Sequence, residues 1–497
     1  MILGKLCMET MRLETLTRMI QPLLVRGPVN FEIEGIAYDS RMVRKGYIFV
    51  ALRGHKSDGA QYIDDAIRRG AVAIVSEEDR WPRRDIAHIQ VENARLALAE
   101  IACAFYDRPS ERIELIGITG TNGKTTTSFM TRAILEASGR RAGLIGTIRY
   151  EIGERIIPAG RTTPEAPDIQ FMLDQMVRNG CRSAVMEVSS HALDQQRVWG
   201  CDFDVGVFTN LTHDHLDYHK TMQNYFEAKA RLFRGIGQMN KRASAVVNID
   251  DPWGMELANI QGLAAQLVTY GTHDAAAVRA EEIELTGSGS SFVFRSPWGD
   301  SRVELPLLGR FNVSNALAAL ATGGCLGIDL NVMVKALAAI PSVPGRLEHI
   351  TNSKGVLAFV DYAHTDDALG NVLQTLRELR SKRLIVVFGC GGDRDKAKRP
   401  AMGTIAVRLA DHVIVTSDNP RNESPETIIE DIVGGLTKAP NWETIVDREQ
   451  AISKAVAMAR PGDIILVAGK GHENYQELGK TMVPFDDREV VRRYLNG

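Results

Sequence analysis

The stretch Ile116-Gly-Ile-Thr-Gly-Thr-Asn-Gly-Lys-Thr-Thr-Thr127 decides how this chain folds. The apolar run leading into it, from Ile113 to Ile118, reads as a buried strand. Beyond it Phe129, Ala133, Ile134 and Ala137 share one helical face, and Gly139 stops the pattern. The order is strand, glycine loop, helix. Gly120 and Gly123 let backbone N–H groups close around an anion, the helix N-terminus adds its positive end, and Lys124 supplies a full charge. The Thr125 hydroxyl stands where a phosphate-bound Mg²⁺ takes a ligand. The spacing therefore predicts that the chain binds ATP through its phosphates. It departs from G-x-x-x-x-G-K-T: the first glycine of that motif would fall at Ile118, and Gly117 stands one place early.

A chain of 497 residues, 44% hydrophobic, is long enough for several cores. A net charge of −3 gives no support for nucleic-acid binding. Cys7, Cys103, Cys181, Cys201, Cys325 and Cys390 are scattered without metal or redox spacing and read as reduced thiols. No apolar run reaches membrane-spanning length, and Glu9, Arg12 and Glu14 interrupt the amino-terminal apolar residues, so no signal peptide is read there. A cytoplasmic globular enzyme, monomeric and not inserted in a membrane, is the expectation.

The pattern divides the chain into three parts. Residues 1–93 carry extended stretches at Phe31–Tyr38, Tyr47–Leu52 and Val72–Ser76 around a helical Tyr62–Arg69. Residues 94–344 open with a helix, Ala94–Tyr106, followed by the nucleotide strand and the apolar strands Ser183–Val188, Val205–Phe208 and Ala245–Ile249. Residues 345–497 follow the linker Pro341-Ser-Val-Pro344 with strands at Leu357–Val360, Leu384–Phe388, His412–Val415 and Ile464–Ala468. Strands alternating with helices predict an α/β chain of mainly parallel sheets wound on both faces, with sites at the carboxyl ends of strands.

Polar clusters fall at such ends. Glu187 closes one strand and can ligate a cation held by phosphates, although Ser189 and Ser190 also suit a helix start. The run from His213 to His219 holds three histidines and two aspartates, and invites a metal reading with His215 and Asp217, deepest in the run, as the first ligands. In Tyr225-Phe-Glu-Ala-Lys229-Ala-Arg-Leu-Phe233 the aromatics pack one helix face, and Lys229 reads as a snorkelling surface lysine. Arg310-Phe-Asn-Val-Ser-Asn315, Gly345-Arg-Leu-Glu348 and Asp361-Tyr-Ala-His364 are each weak alone. In the last part Arg394, Asp418-Asn-Pro-Arg421 and Gly469-Lys-Gly-His-Glu473 converge on one sheet edge. Two arginines suit a carboxylate-bearing substrate and the glutamate an ammonium.

Taken together these segments resemble the Mur ligase family along nearly the whole chain. The markers, in order, are Thr119-Gly-Thr-Asn-Gly-Lys-Thr-Thr126, Glu187-Val-Ser-Ser-His-Ala192, Asn210-Leu-Thr-His-Asp-His-Leu-Asp217, Arg310-Phe-Asn-Val-Ser-Asn-Ala316, Asp361-Tyr-Ala-His-Thr365, Asp418-Asn-Pro-Arg421 and Gly469-Lys-Gly-His-Glu473. Within the family, Tyr38-Asp-Ser-Arg41 with Gly54-His-Lys-Ser-Asp-Gly59, and the Asp418-Asn-Pro-Arg421 form of the amino-acid site, resemble the member that adds the third residue of the peptidoglycan stem.

The resemblance implies a small amino-terminal α/β domain for the UDP-sugar, a central P-loop-type ATPase domain and a Rossmann-like carboxyl-terminal domain for the amino acid. It implies an ATP-dependent amide ligase that adds meso-2,6-diaminopimelate to the D-glutamate γ-carboxylate of UDP-N-acetylmuramoyl-L-alanyl-D-glutamate through an acyl phosphate, with no partner beyond these small molecules. By carry-over, Gly120, Thr121, Asn122, Gly123, Lys124, Thr125, Thr126, Asn315, Arg346 and Asp361 would contact ATP. Ser40, His55, Lys56, Thr162, Thr163, Ser189, Gln195 and Arg197 would hold the nucleotide-sugar dipeptide. Arg394, Asp418, Asn419, Arg421, Gly469 and Glu473 would hold diaminopimelate. Thr125 and Glu187 would hold one Mg²⁺. His215 and Lys229 would help hold a second, Lys229 as the carbamylated N6-carboxylysine, which replaces the surface-lysine reading. His213 is not carried over. Asp366 stands where many members have proline, which should leave that loop less rigid.

Diaminopimelate differs from lysine by one distal carboxylate, which Arg421 can pair. With lysine that arginine would face no partner, a cost of several kcal/mol. Sibling ligases of the same fold and a catalytically silent nucleotide-binding protein are the other readings. The distinct amino-terminal part argues against the first, and intact Lys124, Glu187, His215 and Lys229 against the second.

Overall fold

The computed structural model describes residues 10–54, 58–79, 83–379, 382–436 and 441–496. Three sheets organise them. The first has five strands in the order Leu24–Arg26, Ala87–Gln90, Ala71–Ser76, Tyr47–Val50, Gly35–Ala37, parallel except for the Leu24–Arg26 edge. The extended stretch expected at 31–38 is two short strands: Glu32–Ile33 pairs with Met11–Arg12, and Gly35–Ala37 joins the sheet. The helix Ala94–Phe105, capped by the Asn93 side chain, buries Leu98 and Ile101 in this sheet's core and sets Ala99 and Ala102 against Ala166 of the next part.

The central sheet has eleven strands. Its seven inner strands run parallel, with Glu114–Thr119 between Ser183–Glu187 and Val205–Phe208. Antiparallel strands extend both ends: Arg149–Ile152 and Arg155–Pro158 at one, Gly289–Arg295 and Ser301–Leu305 at the other. Helices cover both faces. Lys124–Ala137, Arg310–Cys325 and Leu330–Ala338 pack on one, Ala166–Arg178 and Met222–Gly235 on the other. The buried face of the helix after the glycine loop is set by Met130, Ile134 and Leu135, whereas Ala137 is exposed. Alanine adds little apolar area, so the larger residues choose the face. Gly139, at φ 78°, ends the helix as expected.

The third sheet has the order Glu348–Ile350, Leu357–Asp361, Ile464–Ala468, Leu384–Phe388, His412–Val415, Trp442–Thr444, parallel after its first strand. A hairpin, Tyr475–Leu478 with Thr481–Pro484, lies beyond its carboxyl ends. Among the described residues no helix is long and apolar enough to cross a membrane.

Candidate active site

The glycine loop is built for close approach. Gly120 and Gly123 have φ of 146° and 85°; a Cβ on the first would meet Thr209 Oγ1 at 1.9 Å, and on the second Asn315 Oδ1 at 2.4 Å. Only glycine fits both backbone and space. Lys124 Nζ curls back over the loop and donates to the carbonyls of Gly120 (2.9 Å) and Thr121 (2.8 Å). Burial pushes its ammonium pKa down, against the pull of Glu187 and Asp214.

Glu187 is fully buried at the end of the strand beside the loop strand. Its carboxylate accepts from Thr125 Oγ1 (2.9 Å), Thr147 N (2.8 Å) and Thr147 Oγ1 (2.9 Å). The turn reading also holds locally, since Ser189 caps the helix Ser190–Asp194 by accepting from Ala192 N.

The third part closes on the same loop. Arg346 Nη2 donates to Thr125 Oγ1 at 3.2 Å, and Asn122 Nδ2 donates to Asp367 Oδ2 at 2.9 Å. Asp361 is buried and accepts from Leu347 N (2.6 Å) and Ala363 N (2.7 Å), so it fixes the turn that carries Arg346. Burial pushes its carboxyl up. Asn315 Oδ1 accepts from Thr127 Oγ1, and Thr121 Oγ1 lies 3.1 Å from Tyr225 OH; Thr126 is buried in the helix's first turn. At the Asp366 departure, Thr365 caps the helix Asp366–Glu378 by accepting from Ala368 N, which ties the loop down without a proline.

Lys229 is not at the surface. It is 1% exposed and donates to Gly120 O at 2.7 Å, with Nζ 4.6 Å from the Tyr225 ring centroid. The helix Met222–Gly235 buries Tyr225, Phe226, Leu232 and Phe233, and Lys229 shares that face, so it is drawn inward with them. Burial first, then the Lys124 charge, holds its ammonium pKa well below the usual range. Two readings of the histidine run need correction. Asp217 is exposed, and the deepest member is His219, whose Nε2 lies 2.9 Å from Ser190 Oγ. His215 occupies a left-handed turn (φ 54°) that keeps its ring, 45% exposed, at the cleft mouth 4.9 Å from the His191 ring. Protein enclosing that ring lowers its pKa, with Asp214 opposing, so the ring is neutral and able to ligate.

The buried carboxylate of Glu187 with the Thr125 hydroxyl is an oxygen set suited to Mg²⁺. As an ammonium Lys229 would repel a cation; it fits a metal site only as a carbamate. Among the described residues no three His, Cys, Asp or Glu side chains gather into a ready metal cluster.

Next to Glu187 lie several residues expected to hold the nucleotide-sugar dipeptide. Thr162 Oγ1 is 3.1 Å from Thr147 Oγ1, and Thr163 Oγ1 donates to Glu187 O (2.8 Å) and accepts from Ser189 N (3.0 Å). Arg197 donates to Thr163 O (2.9 Å) and Gln195 Oε1 (2.7 Å) and approaches Glu165 at 3.2 Å. Buried Ser40 follows Tyr38, whose OH donates to Asp168 across to the central part at 2.6 Å. His55 and Lys56 lie outside the described residues.

At the carboxyl ends of the third sheet Asn419 Nδ2 donates to Glu473 Oε2 (2.7 Å), and Arg421 donates to Glu477 Oε2 (2.9 Å) and Gly392 O (2.7 Å). Gly469, at φ 115°, leaves room for the Asp418 carboxylate, which a Cβ would meet at 2.5 Å. Arg394 is exposed at the loop tip, beside Arg421: a Cβ on Gly391 would meet Arg421 Nη1 at 2.9 Å and Arg394 Cγ at 3.8 Å. Sequence reasoning missed Thr147, Lys470 and Glu477. Only Lys470, flanked by glycines after a buried strand, carried a signal.

Family models describe three segments: Mur ligase family, catalytic domain, over residues 32–106; Mur ligase middle domain over 118–323; and Mur ligase, glutamate ligase domain, over 345–471. The chain is 46% identical over 500 aligned positions to the UDP-N-acetylmuramoyl-L-alanyl-D-glutamate–2,6-diaminopimelate ligase of Geobacter metallireducens, covering 97% of this chain and 98% of that one. The chain belongs to the Mur ligase family. A solved structure of a ligase of that same description matches with a TM-score of 0.70 at 35% identity, over 98% of this chain and 99% of the other. The MurF ligase of Thermotoga maritima in complex with ADP shares the fold, with a TM-score of 0.64 at 21% identity over 93% and 96% of the two chains. As a Mur ligase the chain is an ATP-dependent ligase.

Proposed function

We propose that this Mur ligase joins meso-2,6-diaminopimelate to the D-glutamate γ-carboxylate of UDP-N-acetylmuramoyl-L-alanyl-D-glutamate, converting ATP to ADP and phosphate, as a step of peptidoglycan precursor synthesis. The full-length likeness to the Geobacter ligase carries the reaction. The meeting of Lys124 and Lys229 at one carbonyl, Gly120 O, supports the roles of the residues.

A carboxylate is a poor electrophile. Its oxygen attacks the γ-phosphorus of ATP, ADP leaves, and the acyl phosphate is open to the amine of diaminopimelate. That amine adds to the acyl carbon, phosphate departs, and the amine's proton is lost to give the amide. Catalysis is positioning and charge neutralisation. Lys124 exchanges the Gly120 and Thr121 carbonyls for the β- and γ-phosphate oxygens. Gly120, Thr121, Asn122, Gly123 and Thr126 enclose the phosphates; Asn315, Arg346 and Asp361 bound the rest of the nucleotide. Thr162, Thr163, Ser189, Gln195 and Arg197, with Ser40, His55 and Lys56, hold the nucleotide-sugar dipeptide. Asn419, Arg421 and Glu473 receive the amino acid, aided by Arg394, Asp418 and Gly469.

Thr125 and Glu187 would hold one Mg²⁺, and His215 with carbamylated Lys229 a second; bound there, Mg²⁺ screens the phosphate and carboxylate charge. The depressed pKa of Lys229 suits the modification, because only a neutral amine captures CO₂, losing a proton as it becomes a carboxylate. The three parts, 1–93, 94–344 and 345–497, each bring one substrate, the helix Ala94–Phe105 lying against both the first two. Nothing in this reaction calls for a second copy of the chain.

Phosphate release tests the reading. It should require ATP, Mg²⁺, the nucleotide-sugar dipeptide and diaminopimelate together. Release without the dipeptide, or none with all four, would overturn it.

A further inference from the structure

Lys470 is wholly buried, directly after the strand Ile464–Ala468 and Gly469. Its Nζ donates to Asn419 Oδ1 at 2.9 Å and to Glu473 Oε2 at 3.1 Å, 5.5 Å from the Tyr475 ring centroid. Asn419 Oδ1 also accepts from Glu477 N at 3.0 Å. An ammonium only donates, so the amide must turn its oxygen to Lys470 and its nitrogen to Glu473, where Nδ2 lies 2.7 Å from Oε2. One lysine thus fixes two of the residues that face the amino acid.

The charge balance of this buried corner points the same way. Arg448 is wholly buried, grips Asp487 through Nε (2.8 Å) and Nη2 (2.7 Å), and reaches within 4.0 Å of Asp418. Asp418, Glu473 and Asp487 are three carboxylates against the two cations Lys470 and Arg448. One negative charge is left over, which a ligand ammonium completes.

We propose that Lys470 is a positioning residue for the incoming amino acid, setting the Asn419 amide and the Glu473 carboxylate in the arrangement that receives the distal ammonium of diaminopimelate. This rests on the reading that Asn419 and Glu473 receive that amino acid. Without Lys470 the corner loses one of its two cations, and Glu477 N is left as the donor that orients the amide oxygen. Burial pushes the Glu473 carboxyl up, and the Lys470 charge is the main influence bringing it back. The other groups facing it are Asp418, which pushes it up, Asn419, which lowers it through a hydrogen bond, and Tyr362, Tyr475 and Arg448 from the neighbouring elements.

The sign follows. In Lys470→Gln, Glu473 keeps its burial and the repulsion of Asp418 but loses the ammonium, so it holds its proton to higher pH. A protonated carboxyl cannot pair with an ammonium. The KM for diaminopimelate at neutral pH should rise about tenfold or more, while the KM for ATP and for the nucleotide-sugar dipeptide change little. The ratio of variant to parent KM for diaminopimelate should then fall as pH rises and Glu473 ionises. Loss of packing alone would raise KM equally at every pH. Glu473→Gln is the control and should raise the same KM without that pH dependence. If it does not, the assignment of the amino-acid site falls, and this proposal with it. If it does while Lys470→Gln leaves the KM unchanged, or raises it by a ratio flat in pH, only the role of Lys470 is overturned. Should Lys470→Gln fail to fold by its melting curve, the unaltered enzyme decides: its KM for diaminopimelate should be flat across neutral pH, and a rise as pH falls through neutrality contradicts the proposal.

Discussion

Glu477 Oε2 accepts a hydrogen bond from Arg421 Nε at 2.9 Å, so the arginine expected to select diaminopimelate has a carboxylate partner before any amino acid arrives. The expectation that lysine would leave Arg421 unpaired therefore needs correction. Glu477 sits on the hairpin strand Tyr475–Leu478, far from Arg421 in sequence, and holds the Nε edge, while Nη1 donates to Gly392 O. On the proposed reading a distal carboxylate would meet Nη2 and the second Nη1 proton, the first being held by Gly392 O. Discrimination then comes from the added pairing, about 1.5–3 kcal/mol, rather than from an abandoned buried charge.

Arg421→Ala should accordingly raise the KM for diaminopimelate between about tenfold and about a hundredfold and leave the KM for ATP nearly unchanged. Steady-state kinetics with each substrate varied in turn checks this. Equal rises in both constants would remove Arg421 from the amino-acid site.

Lys229 should carry a carbamate at neutral pH. Protein equilibrated with ¹³C-bicarbonate should show a carbamate carbon resonance that Lys229→Ala lacks, and the variant should lose most of its phosphate release. The lowered pKa enlarges the share of neutral amine that captures CO₂, and that share declines as pH falls. A resonance that survives in the variant belongs to another group.

Gly123→Ala puts a Cβ at φ 85° and 2.4 Å from Asn315 Oδ1. The strain and the displaced amide should cost about 1–3 kcal/mol in ADP affinity, measurable by calorimetry. Unchanged affinity would show that the loop does not take up the phosphates in this conformation.

Arg448→Ala should destabilise the protein by about 3–5 kcal/mol, because it leaves Asp487 buried without its cation. Urea unfolding of the two proteins measures the difference. A loss under about 1 kcal/mol would mean that the pair contributes as little as an exposed one.

The legible parts of the sequence were those that local rules fix. The glycine loop was readable because positive φ and close approach demand glycine at 120 and 123. Glu187 was readable because a carboxylate ending a buried strand has few structural uses. The antiparallel strands flanking the central sheet went unread, because half-exposed strands such as Ser301–Leu305 lack the solid apolar runs of the parallel ones. Lys229 illustrates the harder limit. From spacing alone a lysine beside alanines belongs at the surface, and only the packing of Tyr225, Phe226, Leu232 and Phe233 turns it inward. Glu477 left no trace at all, since its contact with Arg421 depends on where a hairpin lands.

The most direct test of the central claim is the mass of the product formed from ATP, UDP-N-acetylmuramoyl-L-alanyl-D-glutamate and an equal mixture of meso-diaminopimelate and L-lysine. The account predicts a product heavier than the starting nucleotide by one diaminopimelate residue, formed with one phosphate for each amide. A lysine adduct as the main product would contradict it.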